Sequence, residues 1–186
     1  MKGSVVFFGL AVLFKGLLAE SSGINSTTAE LEGRTANTCA DPGLALPFRQ
    51  WFSISQKAHV LDQTIAIVNA NTAGGDWTWQ ADSFLAWGGP QEFVFPLYVF
   101  FNPTTADNLY VLSSDGTVPS VSGTIPAGIV AYVYATQVCG SVPLFSVAQE
   151  GVGDHWYTTS NAERDALTSV GWVSEGVIAF VLPIQS

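Results

Sequence analysis

Basic residues are scarce in this chain: six lysines and arginines stand against fifteen aspartates and glutamates among 186 residues. A surface that acidic repels phosphate backbones, so nucleic acid is excluded as a natural partner. Charged residues of either sign are only 11 % of the chain and aromatics are 12 %. A disordered segment shows the opposite balance, so this polypeptide folds. Cysteine is limited to Cys39 and Cys139 and histidine to His59 and His155. So few, so widely spread, they form no zinc pattern, and no calcium loop is visible, so neither a metal nor a cofactor is expected. No nucleophile elbow accompanies either histidine. Asp154, Glu163 and Glu175 are the clustered carboxylates that could flank a glycosidic bond, but nothing in their spacing favours that role. The expectation is a protein that is not an enzyme and has no catalytic residues. Long apolar runs are missing as well. The densest late one, residues 93–101, contains Pro96 and has the length of a strand, whereas a spanning helix needs roughly 20 apolar residues.

What the chain does have begins with Lys2, an apolar run from Val5 to Phe14, and Ala19 ahead of Glu20-Ser21-Ser22. That layout predicts a signal peptide over residues 1–19 and a secreted, extracellular or cell-wall-associated product. Lys15 breaks the run and argues against a membrane anchor. Removing residues 1–19 takes Lys2 and Lys15 with it and leaves four basic against fifteen acidic residues, a net charge of −11. In an oxidising compartment the two cysteines read as a Cys39–Cys139 disulfide, with two buried free thiols as the alternative. The loop it closes, about 100 residues, corresponds to roughly 4–5 kcal/mol in the chain-entropy account. Asn25-Ser26-Thr27 is an N-glycosylation sequon. It lies in a polar, patternless stretch, residues 20–43, read as a flexible arm outside the fold.

From Leu44 a rhythm appears. Leu46-Pro47-Phe48, Phe95-Pro96-Leu97 and Val142-Pro143-Leu144 open three units, their prolines 49 and then 47 residues apart. Counting from each proline, positions +11 to +14 read Ala58-His59-Val60-Leu61, Asp107-Asn108-Leu109-Tyr110 and Asp154-His155-Trp156-Tyr157. Each unit closes on an apolar strand, and the last two closings, residues 128–133 and 176–181, share the pattern Gly-apolar-apolar-Ala-aromatic-Val. A period of this length, in units too small to bury an apolar face alone, marks a domain built from repeats. The units run over residues 44–92, 93–140 and 141–186.

The third unit is the most legible. Residues 144–148 form a strand, Gln149 to Asp154 a glycine-bearing hairpin turn, and 155–159 the returning strand. Ser160-Asn161-Ala162-Glu163 fits a capping box, followed by a short helix stopped at Gly171. The first unit allows a helix after Asp62, a poor one because Ile65, Ile67 and Val68 are β-branched. The second unit has Gly, Pro and Ser over 113–123, which predicts a loop.

These residues carry a resemblance. The third unit, VPLF with GDHWYTTSNAERDAL and GWVSEGVIAFV, resembles the repeat of secreted fungal and bacterial proteins with a domain of unknown function of the DUF5648 type, whose units read PLYRLYNP, TGDHFYTT, ER, GW and YEG. The similarity runs from Pro47 to Val181, strongest in the third unit. It implies a three-unit β domain and lends neither a catalytic chemistry nor a defined ligand. The second unit departs from the pattern at Asn108, and in the first unit Trp79 and Asp82 are the candidate counterparts of Trp172 and Glu175.

Together these readings predict a mainly β fold with short helices. Three pseudo-symmetric repeats would close into one domain, β-trefoil-like or, alternatively, a three-bladed propeller-like disc. The candidate binding residues are Asp154, His155, Trp156, Tyr157, Glu163, Trp172 and Glu175, with Arg164 among them. Aromatic faces beside carboxylates and imidazole suit a sugar ring and its hydroxyls. The same residues also suit a purely structural role: a histidine bonded within the hairpin, Glu163 capping the helix, aromatics filling the core. The functional expectation is a lectin-like protein binding glycans or cell-wall polysaccharide. A surface-interaction protein without a sugar site, or a protein-binding inhibitor acting through the loop from Gly116 to Pro126, are the alternatives.

Overall fold

The computed structural model describes residues 38–184. The signal-peptide reading, the Asn25 sequon and the arm up to residue 37 lie outside the described residues. Each unit folds into one three-stranded antiparallel sheet with its opening strand in the middle. The first sheet holds β1 (Leu46–Ser53), β2 (Ala58–Asp62) and β3 (Trp77–Ala86). The second holds β4 (Phe95–Asn102), β5 (Asp107–Leu112) and β6 (Ile125–Val133). The third holds β7 (Val142–Gln149), β8 (Asp154–Thr158) and β9 (Val173–Val181). Helix α1 (Thr64–Thr72) connects β2 to β3, and α2 (Asn161–Ser169) connects β8 to β9. The second unit has a loop there, as its composition predicts. Fold class and repeat are therefore as the sequence indicates: mainly β, in three equivalent units.

Local chemistry explains the elements. The Ser160 hydroxyl accepts from the Glu163 N–H at 3.2 Å and starts α2. The capping box is only half made, because the Ser160 N–H donates to Thr158 Oγ1 at 3.0 Å and not to the Glu163 carboxylate. Helix α1 has no side-chain cap among the described residues and buries Ile67 alone, and the Asn71 amide ties its last turn to the Trp77 backbone at 2.9 and 3.0 Å. Every hairpin turns through a left-handed residue just before its second strand: Lys57 (φ 55°), Ala106 (φ 62°) and Gly153 (φ 67°). The outer strands β3, β6 and β9 each bulge at the same two places against the central strand. Gly128 and Gly176, at φ 115° and 96°, occupy one of those bulges. A Cβ at either would meet nothing within 4 Å, so backbone conformation, and not space, explains the glycine that opens the repeated closing pattern.

The core is threefold in detail. Twelve buried side chains form it, four from each unit at matching positions. Phe48, Leu97 and Leu144 follow the opening prolines; Leu61, Tyr110 and Tyr157 stand at +14; Phe84, Ala131, Ala179 and Ala86, Val133, Val181 come from the outer strands. Volumes compensate across units. The first unit stacks Phe48 on Phe84 at 5.5 Å and has the small Leu61, whereas the others combine Leu with Ala and bring in a tyrosine. Burying one such aliphatic side chain contributes only ~1.5–3 kcal/mol. Four of them cannot offset the chain entropy of about 45 residues, so a unit does not fold alone.

The sheets stay separate and do not close into a hydrogen-bonded barrel. A ring of isolated bridges joins them: Leu85 with Leu182, Tyr132 with Trp87, and Phe180 with Tyr134. Each bridge ties the same position of one unit to the same position of the neighbour, through paired backbone hydrogen bonds of 2.7–3.2 Å. The bridge residues Trp87, Tyr134 and Leu182 form a second buried cluster, into which Ala40 inserts. Here the boundary of the arm moves. The sequence pattern puts residues 38–43 in the arm outside the fold, yet Ala40 is buried, its N–H donates to the Tyr134 hydroxyl at 3.1 Å, and the Asp41 carbonyl accepts from the Trp87 indole at 2.7 Å. The Cys39–Cys139 disulfide fastens this plug. Among the described residues no helix is long and apolar enough to cross a membrane.

Candidate functional site

The +11 and +12 positions turn out to be the ties between units. The Asp154 carboxylate of the third unit takes both the ring of His59, Nδ1 at 2.8 Å, and its backbone N–H at 3.1 Å, in the first unit. Asp107 of the second unit holds His155 of the third in the same way, at 2.5 and 3.3 Å. By rotation the remaining tie would join Ala58 to Asn108, and there both halves of the pair are missing together. The +14 tyrosines follow the same sense. The Tyr110 hydroxyl accepts from the Leu61 N–H at 2.8 Å and donates to the Leu61 carbonyl, and the Tyr157 hydroxyl donates to the Asn108 carbonyl at 3.1 Å. The two tyrosine rings meet edge to face at 4.8 Å.

The electrostatics fit these roles. Burial alone would depress the His155 imidazole, but its hydrogen bond to Asp107 and the charges of Asp107 and Glu175 outweigh burial and raise its pKa. Burial pushes both tyrosine hydroxyls well above their ordinary range, so they stay neutral donors.

Of the expected binding residues, then, Asp154 and His155 act on two different neighbours and hold the units together. Glu175 supports His155 from within the third unit: it accepts from the Ser146 hydroxyl at 2.6 Å and lies 3.3 Å from His155 Nε2. Arg164 is spent on Phe145, its guanidinium 4.5 Å over the ring, and on Asp165 at 2.7 Å. Trp172 is half-buried at the entry to β9. Sheet register also corrects the match made for it. Trp77, not Trp79, lies where Trp172 does, and Gln80, not Asp82, where Glu175 does. A slip of two residues keeps side chains on the same face, so sequence alone does not reveal it.

Trp156, Tyr157 and Glu163 do converge, on a groove of about 130 Å³ between the third and first units. Its other wall, Ala81, Asp82 and Ser83 of β3, comes from the unit whose similarity to the third is weakest, so the repeat pattern does not point to it. Trp156 packs edge-on against His59 at 4.9 Å, and its indole N–H has no partner among the described residues. The Glu163 carboxylate, released from the expected capping bond, accepts no hydrogen bond among the described residues. Asp82 accepts from Arg49 Nε at 2.6 Å and remains about half exposed.

A second groove, about 260 Å³, occupies the equivalent place between the first and second units. It is lined mostly by apolar residues of β2, α1, β4 and β6, with Asp62 of β2 and Asn108 and Tyr110 of β5 bringing polar groups to it. Burial raises the pKa of that carboxyl, partly offset by the Gln63 N–H it accepts. Among the described residues no group of three or more His, Cys, Asp or Glu side chains gathers to hold a metal ion.

Three sheets tied by histidine–aspartate pairs, with grooves at the junctions, define a three-unit β domain whose open sites lie between repeats. The chain belongs to the DUF5648 family, a domain of unknown function whose family model matches residues 47–182. No curated protein and no solved structure matches the chain.

Proposed function

We propose that this is a secreted, non-catalytic module that binds glycans or cell-wall polysaccharide in the groove between the third and first units. The observation that carries the reading is the Glu163 carboxylate, unengaged among the described residues and lining the same groove as Trp156 and Asp82. A sugar needs carboxylates for its hydroxyls and an aromatic surface for the apolar side of its ring. Trp79, three residues before Asp82 on the same strand and 56 % exposed, offers a solvent-facing indole that a longer glycan could reach from the groove. In this reading the ring of bridges takes the place of a barrel and gives trefoil-like closure, which keeps the groove rigid. The Cys39–Cys139 disulfide supports an oxidising, extracellular setting.

The test is retention of the mature chain on insoluble polysaccharides together with a glycan array. Glu163→Gln and Trp79→Ala alter exposed side chains, so both variants should fold, and each should weaken binding about tenfold. No retention on any polymer, or retention untouched by both changes, would refute the reading.

A further inference from the structure

The larger groove has a different chemistry from the first. Its floor is aliphatic, with Val60 of β2, Ile67 of α1, Val99 of β4 and Val130 of β6, and Trp77 stands at one side. Asn108 and Tyr110 line it too, and the fold sets one carboxylate beside the aliphatic group. Asp62 is half-buried, and its Oδ1 accepts from the Gln63 N–H at 2.7 Å. Its natural cation is engaged elsewhere. Arg49 is the cross-strand partner of Asp62, yet its guanidinium donates to Asp82 at 2.6 Å and to Thr64 at 2.7 Å. Asp62 forms no ion pair among the described residues. A half-buried carboxylate beside an aliphatic cavity, without a cation, costs folding energy, and a ligand that brings the charge recovers it. The strongly acidic chain favours the approach of a cation.

We infer that the junction between the first and second units binds a small cationic amphiphile, its ammonium group on the Asp62 carboxylate and its hydrocarbon body along Val60, Ile67, Val99 and Val130. The site is independent of the glycan reading. It sits at a different junction and selects the opposite ligand chemistry, an apolar body in place of a polyol.

The test is calorimetric titration of the full chain with n-octylammonium, n-octanol and n-octanoate, each below its micellar range. Octylammonium should bind about tenfold or more tightly than octanol, the expected gain for a charge-assisted contact, and octanoate should bind weakest. Asp62→Asn should bring amine and alcohol to the same affinity. Ala127→Phe, at an exposed position on the groove wall, should abolish binding of all three without touching the core. Octanol matching the amine, no binding of any probe, a preference that survives Asp62→Asn, or binding that survives Ala127→Phe would each overturn the inference. The ligand series on the unaltered chain stands even if the Asp62 variant fails to fold.

Discussion

Replacing Asp107 with alanine cuts the tie between the second and third units at its most buried point. The carboxylate, 1 % exposed, accepts from the His155 ring at 2.5 Å, from the His155 N–H at 3.3 Å and from the Asn108 N–H at 2.8 Å. Truncation leaves three donors without their acceptor. Breaking a buried pair from one side costs about 3–5 kcal/mol, a large part of the roughly 5–15 kcal/mol that holds a domain folded. With a urea dependence of about 2 kcal/mol per molar, the midpoint should fall by ~1.5–2.5 M. The pH dependence separates an ionic tie from simple packing. His155 has a raised pKa in the folded chain, so the stabilisation from its charged form is complete below the ordinary value of 6.5 and fades as pH rises through the folded value. A double-mutant cycle of Asp107→Ala with His155→Ala, followed by urea unfolding with the disulfide intact, should therefore give a larger coupling at pH 5.5 than at pH 9. A cost below about 1 kcal/mol, or a coupling that is flat or grows with pH, would refute the argument that charge holds this junction.

Three further outcomes follow from the same geometry. Gln50 is fully buried with neither amide atom hydrogen-bonded among the described residues, at the place taken by Val99 in the second unit, so Gln50→Leu should raise stability by about 1–3 kcal/mol, read as a higher Tm. Gly153→Ala meets both a left-handed φ and the Thr105 side chain, whereas Gly116→Ala meets φ 78° and open space; the first should cost ~2–5 kcal/mol and the second only ~1–2, in parallel denaturation curves. Installing the missing third tie as Ala58→Asp with Asn108→His should stabilise by about 1–3 kcal/mol relative to the sum of the single variants, and additive behaviour would show that the two positions do not meet.

Much of this fold was legible in the chain because its causes are local. The opening prolines, the glycine-bearing turn before β8, the Ser160 cap and the loop over 113–123 each act within a few residues, and all appear where the residue types place them. The period of about 48 residues carried the next level, since units of that size must share a core. The site was half visible. Trp156, Tyr157 and Glu163 lie within eight residues and line one groove, while Asp82 and Ser83 come from a distant unit with a weak pattern.

The amino-acid sequence by itself determined three β units, their hairpins, the helix of the third unit and the family. Only tertiary structure decided which aspartate meets which histidine, across separations of 95 and 48 residues. It also set Glu175 beside His155 and opened grooves at two junctions. The reason is rotational: a neighbour relation between repeats depends on the sense in which they close, and no local preference records that sense.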